Sequence, residues 1–357
     1  MRLVLIRLSA LGDIVHTWPL AVALREGLPD AHITWVVEEP LRPLVEGHPA
    51  IDSVITVATR RWRKTPFAAL TRAETGSVRT ILRELAPDVA IDPQGTVKSA
   101  WVTRWTGAPE RIGLARPWRR ELLAGMAYNR TTPGDENQRH VVATNIAMVK
   151  AIGLKTATEL PLPDGSWLLN SISEHYADLS PADPYAVILP GAGHPSKVLN
   201  PRTLADVAVD LAKQKLKPVV AWGPGERERA AAVVSHSDGA ADLAPKTSLE
   251  QLTVLLGQAA VVVGGDTGPV HLAASLGVPT LGVFLTTDWR RNGPLGRQTA
   301  VISSARLPRT GRPTGSAGAK PGRPPSAVEI WNHLRTLLAQ SKHDCNAAEP
   351  ISFTDDN

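Results

Sequence analysis

The chain has 357 residues, 43% of them hydrophobic and 20% charged, which is the balance of a globular protein and excludes a disordered or fibrous one. Its length is sufficient for two domains. The net charge of +5 indicates an anionic partner (nucleic acid, a membrane face or an acidic substrate) without choosing among them.

Short β-like runs alternate with helical stretches through the first half of the chain. Strands are predicted at 2–8, 32–37, 53–57 and 89–91, and helices at 14–26 and 78–85. This alternation is typical of a parallel α/β sheet. A proline-rich polar stretch at 161–184 predicts a boundary, so we assign an N-terminal domain to 1–175 and a second domain to 176–306.

The second half repeats the same alternation. Strands are predicted at 186–189, 218–222, 261–264 and 280–284, and helices at 201–213, 226–234, 249–258 and 270–276. Residues 307–326 form a predicted low-complexity linker, 327–341 an amphipathic helix and 342–357 a disordered tail. We therefore predict two Rossmann-like, doubly wound parallel-sheet domains that face a cleft.

The cysteine content and the lengths of the apolar runs exclude several further classes of protein. Cys345 is the single cysteine, which excludes an intramolecular disulfide and a cysteine-cluster metal site. No apolar run is long enough for a membrane span, and Leu3–Ile6 is too short for a signal peptide. We therefore expect the protein to stay in the cytoplasm.

The first candidate for a catalytic or binding loop is Ser9-Ala10-Leu11-Gly12-Asp13, between the first strand and the first helix. Ligands of open α/β sheets gather at the carboxyl ends of strands, where this loop must lie. Asp13 is open to two interpretations. It could be an ordinary helix N-cap, or a general base that faces the cleft.

Two further loops suit a diphosphate. Gly264–His271 follows a buried strand and opens a helix, so its backbone N–H groups and helix dipole can bind phosphate, although an ordinary capped turn remains the alternative. Pro190–Lys197 is rich in glycine and ends in a lysine, but it lacks the Gly-Lys-Ser/Thr order of a P-loop. The first strand is not followed by the glycine pattern of a dinucleotide-binding dehydrogenase.

Taken together, these segments resemble glycosyltransferase family 9 over roughly 1–297. The resemblance rests on Ser9–Thr17, on Arg60-Arg61-Trp62-Arg63-Lys64, on Asp92–Ser99 and on Gly265–Leu272. The basic segment resembles the acceptor-binding motif of the members that add the first heptose. The resemblance implies a GT-B fold and inverting transfer of heptose from ADP-heptose to a Kdo residue of Kdo-lipid A, with neither metal nor cofactor.

The resemblance also implies roles for individual residues. Asp13 would take the proton of the acceptor hydroxyl, and Lys197 would neutralise the diphosphate of the leaving ADP. The residues that match donor-binding positions are Ala192, Gly193, Lys197, Glu226, Thr247, Asp266, Thr267, Gly268 and His271. Ala192 and Gly193 stand where the family often has paired hydroxyl residues, and the family's Lys-x-Trp-Pro pattern after the lysine is absent.

The implied acceptor site is basic. Its residues are Arg60, Arg61, Lys64, Lys98, Arg120 and His140. Arginine and lysine suit the phosphates and carboxylates of Kdo-lipid A, whereas a run of charge alone would indicate a solvated face. Trp62 inside the run favours the functional interpretation. The same charge would hold the enzyme on the anionic inner-membrane surface, and we expect no nucleic-acid partner.

Two rival hypotheses stay open at this point. One is a family 9 transferase with another acceptor or another nucleotide heptose. The other is a non-catalytic module that binds a sugar nucleotide or nucleic acid, against which Asp13, Lys197 and Asp266 argue.

Overall fold

The computed structural model describes residues 1–135, 139–156, 159–179, 181–306 and 321–347. Two six-stranded parallel sheets form its frame, with strand orders β3-β2-β1-β4-β5-β6 and β12-β11-β10-β7-β8-β9. The first sheet contains β1 Arg2–Ile6, β2 His32–Glu38, β3 Ser53–Val57, β4 Val89–Asp92, β5 Glu110–Leu114 and β6 Arg130–Thr132. The second contains β7 Tyr185–Leu189, β8 Lys217–Val220, β9 Asp242–Leu243, β10 Val261–Gly265, β11 Thr280–Phe284 and β12 Thr299–Ser303.

Helices connect the strands of each sheet. They are α1 Leu11–Val15, α2 Trp18–Gly27, α3 Thr59–Lys64, α4 Ala69–Glu84, α5 Val97–Trp105, α6 Val141–Ile146, α7 Ser166–Ile172, α8 Pro201–Lys213, α9 Arg227–His236, α10 Leu249–Gly257, α11 Gly268–Ser275, α12 Trp289–Asn292 and α13 Ala327–Ala347. Short 3-10 helices lie at Glu39–Leu44, Leu122–Ala127, Ala147–Ile152, Ser173–Leu179 and Pro195–Lys197. The predicted pair of doubly wound parallel-sheet domains is confirmed.

The central strands are apolar because helices cover both faces of each sheet. In β1, Leu3 and Val4 are 1% exposed, and Leu5 and Ile6 are fully buried. Leu5 pairs with Trp35 of β2 on one side and Ile91 of β4 on the other. Full burial of each such side chain contributes about 1.5–3 kcal/mol to folding, so β1 anchors the loop that follows it.

The helix predicted at 14–26 is wrong as a single element. The chain forms α1 and then α2, with a break at His16 and Thr17. Pro19 lies in the first turn of α2, where its missing N–H has no cost, whereas in the interior of one long helix it would remove a hydrogen bond and clash with the preceding turn.

Several elements were not predicted. They are the strands β5, β6, β9 and β12 and the helices α3, α5, α6, α7 and α12. The predicted strand at 2–8 ends at Ile6, because the N–H of Leu8 turns to the side-chain oxygen of Gln94, at 2.8 Å, instead of extending the ladder.

The C-terminal helix α13 packs on the second domain. Ile330, Leu334 and Leu337 are buried in a cluster with side chains of α8 and the second sheet. The helix continues past its predicted end at 341 to Ala347, since 342–347 contains no glycine or proline to stop it. The linker segment 307–320 and the tail segment 348–357 lie outside the described residues. Over the described ranges, none of the helices has the length and apolarity that a membrane span requires.

Candidate functional site

A cleft of about 2120 Å³ lies between the two sheets and is lined from both domains. Its walls carry the loops that follow β1, β4, β7, β10 and β11, so it lies at the carboxyl ends of the strands, as the fold rule requires. The predicted site residues that line it are Asp13, Arg60, Lys98, Arg120, Gly193, Lys197, Asp266, Thr267, Gly268 and His271.

Asp13 reaches the cleft from the first turn of α1. The N-cap position belongs to Ala10, and Asp13 stands three residues later, where its carboxylate accepts the backbone N–H of Ala10 at 3.1 Å. The carboxylate is about a third exposed, at 34%. Of the two interpretations, the simple N-cap is therefore wrong in position, although Asp13 does stabilise the start of α1.

Asp13 forms an ion pair with Arg7 of its own domain and interacts electrostatically with Arg291 of the second domain. The buried guanidinium of Arg7 lies 3.6 Å from its carboxylate and also donates to the carbonyls of Asp13 and Pro93. Arg291 comes from α12 in the second domain. Burial lowers the pKa of Arg291, and the negative charge of Asp13 acts in the opposite direction. Asp13 thus lies where the charges of both domains meet.

The opposite wall is built around Asp266, which follows β10. Its carboxylate accepts a hydrogen bond from Lys197 at 2.6 Å and from Thr287 at 2.8 Å, and lies 3.7 Å from the imidazole of His271. Burial alone would raise the pKa of Asp266, but the hydrogen bond from His271 and the charge of Lys197 hold it well below its ordinary value. Asp266 is therefore an ionised anchor that fixes the Lys197 ammonium beside the cleft.

The start of α11 offers backbone N–H groups next to this ion pair. Thr267 is its N-cap and makes no side-chain capping bond, and Pro269 occupies the first turn. A Cβ on Gly268 would stand 2.7 Å from Cβ of Leu11, so glycine is required for α1 and α11 to approach each other. The arrangement can bind an anion through the helix terminus and the Lys197 ammonium together.

The basic residues of α3 divide between two faces of the helix. Arg60 lines the cleft and so does Arg63, which was not among the predicted site residues, because positions three apart share a helix face. Arg61 points elsewhere and forms an ion pair with Glu74 at 3.0 Å. Lys64 is exposed and does not line the cleft.

Trp62 has a structural role that the sequence interpretation missed. Its side chain is buried in the core of the first domain, and its indole N–H donates to Glu74 at 2.6 Å. The ring lies 6.2 Å from that of Trp105. Trp62 therefore anchors α3 and, by doing so, points Arg60 and Arg63 into the cleft.

The loop after β4 joins the first-domain wall that carries Arg60 and Arg63 to the Asp13 loop. The Gln94 side-chain oxygen accepts the N–H of Leu8, and Asp92, whose pKa burial raises, accepts the N–H of Gln94 at 2.9 Å. Lys98 donates to the Ser9 hydroxyl at 2.7 Å, and burial lowers its pKa. These bonds hold the two loops in register.

The structure places the other predicted residues outside the cleft lining. The Glu226 carboxylate accepts the N–H of Gly223 at 2.9 Å and lies against Gly191. Thr247 lines a separate cavity of about 140 Å³. Ala192 is half-buried beside Gly193 without lining the cleft.

His140 also does not line the cleft with Arg60 and Arg63. It is 7% exposed, its Nδ1 accepts the N–H of Val142 at 3.2 Å, and its Nε2 lies 3.0 Å from the carbonyl of Gly293. Because both ring nitrogens are engaged, His140 bridges the two domains and has no free nitrogen for an acceptor.

Sequence reasoning missed other lining residues. They include Arg7, Gln94, Trp101, Arg116, Arg119, Asn145, His194, Ser196, Thr286, Thr287 and Arg291. Arg7 carried a readable signal, since a charge directly after a buried apolar strand needs a partner. Among the described residues, no group of three or more histidine, cysteine, aspartate and glutamate side chains could hold a metal ion.

Comparisons with known proteins agree with this arrangement. A family model described as glycosyltransferase family 9 (heptosyltransferase) matches residues 76–314. Lipopolysaccharide heptosyltransferase 1 of Pseudomonas aeruginosa is 35% identical over 305 residues, which are 85% of this chain and 84% of that protein. The protein of the same name from Escherichia coli K12 is 30% identical over 308 residues, covering 86% and 94%.

The solved structures extend the likeness to the fold. E. coli heptosyltransferase WaaC with ADP superposes with a TM-score of 0.77 at 29% identity, over 94% of this chain and 100% of that one. The same enzyme with ADP-2-deoxy-2-fluoro heptose gives a TM-score of 0.72, over 96% and 100%. The resemblance drawn from the sequence motifs is thus confirmed, and the chain belongs to glycosyltransferase family 9, with the two facing Rossmann-like domains of the GT-B fold.

Proposed function

We propose that this protein transfers a heptose from ADP-heptose to a Kdo residue of Kdo-lipid A, with inversion at the anomeric carbon, in assembly of the lipopolysaccharide inner core. The proposal rests on one observation: a candidate base and a candidate diphosphate site lie on opposite walls of the same cleft. The partly exposed Asp13 carboxylate lies on one wall, and the Lys197–Asp266 pair at the start of α11 lies on the other.

The reaction needs a base on the acceptor side of the anomeric carbon and, on the other side, groups that stabilise the leaving diphosphate. Asp13 takes the proton of the acceptor hydroxyl while that oxygen bonds to the anomeric carbon. The bond from that carbon to the diphosphate oxygen breaks, and ADP leaves with the electron pair. Arg7 holds the Asp13 carboxylate in place through its 3.6 Å contact, and the proton stays on Asp13 until water removes it.

The leaving diphosphate is stabilised by the protein's own charge. The N–H groups at the start of α11 and the Lys197 ammonium face the same part of the cleft, where they act without reorganisation during the reaction. The related WaaC structures hold ADP and ADP-2-deoxy-2-fluoro heptose, which supports the choice of donor. We expect turnover to need neither a metal nor a cofactor.

The acceptor wall matches a multiply anionic sugar lipid. Arg60, Arg63, Lys98 and Arg120 line the first-domain side of the cleft. Guanidinium groups bind carboxylate and phosphate bidentately, and the ammonium adds a point charge. A net charge of +5 also favours peripheral binding to the anionic cytoplasmic face of the inner membrane, where such an acceptor is presented.

The test is ADP release from ADP-heptose, measured with and without Kdo-lipid A and repeated with EDTA. We expect ADP only when the acceptor is present, a product heavier by one heptose, and no loss of rate with EDTA. Binding of ADP-heptose without turnover on any Kdo-bearing acceptor would leave the family intact and overturn the acceptor. Loss of rate with EDTA that added metal restores would overturn the metal-free mechanism.

A further inference from the structure

A second pocket, of about 340 Å³, lies beside α5 in the first domain. Four arginines and two tryptophans line it, namely Arg79, Arg83, Trp101, Arg104, Trp105 and Arg111. We propose that this arginine pocket binds a phosphate group carried by a lipid and so holds the enzyme beside its acceptor. The inference rests on the proposed function, since it presumes a lipid-borne acceptor.

The pocket follows from the periodicity of two neighbouring helices. Arg79 and Arg83 are four residues apart on α4, and Trp101, Arg104 and Trp105 occupy positions i, i+3 and i+4 on α5. Residues at these spacings share one helix face. Because α4 packs beside α5, the two faces converge on one concavity.

The positive charge in the pocket is uncompensated. No carboxylate lines it, and within the described ranges no ion pair within 4.0 Å involves Arg79, Arg83 or Arg104. Arg111 donates to the carbonyls of Ala108 and Ala127, at 2.7 and 2.9 Å, which fixes its plane without neutralising it. Arginines gathered in this way repel one another, and a bound phosphate would relieve the repulsion through bidentate bonds.

The surroundings indicate that the phosphate belongs to a lipid. Trp101 is 59% exposed and lines both this pocket and the main cleft. The neighbouring 3-10 helix, which packs against α5, exposes Leu122, Leu123 and Met126 by 59%, 65% and 75%. An exposed tryptophan beside the arginines, with exposed aliphatic side chains on the adjoining 3-10 helix, suits the boundary between lipid headgroups and acyl chains, whereas a free anion needs no apolar surface nearby.

The test compares two double variants that remove the same charge. Arg83→Gln/Arg104→Gln empties the pocket of two guanidinium groups. The control, Arg202→Gln/Arg335→Gln, removes two exposed arginines from the second domain. Binding is measured by sedimentation with phosphatidylcholine vesicles, with and without phosphatidylglycerol, in the absence of donor and acceptor. Thermal melts verify that both variants are folded.

We expect the pocket variant to bind the anionic vesicles about 30-fold more weakly than the native protein, because each basic residue near such a surface contributes about fivefold. The control should bind within about twofold of the native protein. Equal losses in the two variants would show that only net charge matters and would overturn the pocket. If the pocket variant instead loses binding to RNA in a gel-shift assay while its vesicle binding is unchanged, the pocket binds nucleic acid, and the proposal is overturned as well.

A second measurement distinguishes the source of the phosphate. The KM for Kdo-lipid A in detergent is compared with the KM for the same acceptor lacking its glucosamine phosphates. A higher KM of the pocket variant for the phosphorylated acceptor alone assigns the pocket to the acceptor, and weaker vesicle binding alone assigns it to bilayer phospholipid. No change in either assay overturns the proposal. Vesicle binding needs no turnover, so its failure and the failure of the transferase assignment are separable.

Discussion

At the residue scale, the proposed chemistry depends on one carboxylate in a fixed orientation. The two oxygens of Asp13 have different neighbours, since one accepts the N–H of Ala10 and the other faces Arg7. The side chain is still a third exposed, so a substrate hydroxyl can reach it. A base held in this way loses little freedom when the acceptor binds, which is the condition for efficient proton transfer.

Asp13→Asn keeps the size of the side chain and removes its capacity to accept a proton. We expect kcat for heptose transfer to fall about 10²- to 10⁴-fold, while the Kd for ADP-heptose, measured by calorimetry, stays within about threefold. The matched control is Asp30→Asn, at an exposed turn, which should keep native turnover. Retention of most of the rate in Asp13→Asn would assign the base elsewhere.

At the element scale, the site depends on how closely α1 and α11 approach. A Cβ on Gly12 would stand 2.5 Å from Cδ2 of His271, and one on Gly268 would stand 2.7 Å from Cβ of Leu11. Both distances are shorter than real contacts allow. The two glycines therefore set the spacing between the wall that carries Asp13 and the wall that carries Asp266.

Gly12→Ala should push the two helices apart without changing any charged group. A displacement of about 1 Å at a catalytic site can cost about 10²-fold in rate, so we expect kcat to fall about 10- to 100-fold. Gly76→Ala is the control, because a Cβ there has no atom within 4 Å apart from its chain neighbours and the backbone of its own helix. It should leave kcat unchanged while stabilising α4 by about 0.5–1 kcal/mol. Native turnover in Gly12→Ala would mean that the cleft adapts.

Strands with long apolar runs could be predicted from the sequence. Short or polar strands, which form because an adjacent strand pairs with them, were missed. β1, β7, β10 and β11 are buried runs that any sheet would need. In contrast, β9 has only two residues and β6 reads Arg-Thr-Thr, so their pairing is set by the adjacent strand and leaves little local trace.

The candidate site was likewise predictable in its loops but not in the orientation of its basic side chains. Loops at the carboxyl ends of strands place Asp13 and Asp266 in the cleft from topology alone. Whether Arg61 or Arg63 lines the cleft depends on how α3 is rotated about its axis. That rotation is fixed by the burial of Trp62 and by its hydrogen bond to Glu74. Tertiary contacts of this kind cannot be read from a basic run.

At the scale of the whole molecule, the two domains meet around three buried imidazoles. The ring of His16 lies 5.1 Å from that of His140 and 4.5 Å from that of His271, and His140 reaches the Gly293 carbonyl of the second domain. Burial lowers the pKa of His140 to about 4, and it holds the pKa of His16 well below its ordinary value. Both rings are therefore neutral in the folded protein at neutral pH.

This junction should make the folded state sensitive to acid. In the unfolded chain His140 takes up a proton near pH 6.5, whereas in the folded chain it stays neutral until about pH 4. Stability is therefore present above pH 6.5 and is lost as the pH falls toward 4, by about 3 kcal/mol for His140 alone, because the unfolded state binds the extra proton. Urea unfolding across this range measures the loss.

His140→Gln removes the titrating group and isolates its share of this loss. The variant should be less stable than the native protein at neutral pH, because the bonds to Val142 and Gly293 are weakened. Between pH 6.5 and 4, however, its free energy of unfolding should fall less steeply, by about 1.4 kcal/mol per pH unit. His16, the neighbouring His271 and the nearby charge of Arg291 remain in the variant, so a residual slope is expected. Parallel curves for the two proteins would mean that His140 has the same pKa in the folded and the unfolded chain and that the junction is not acid-sensitive through this ring.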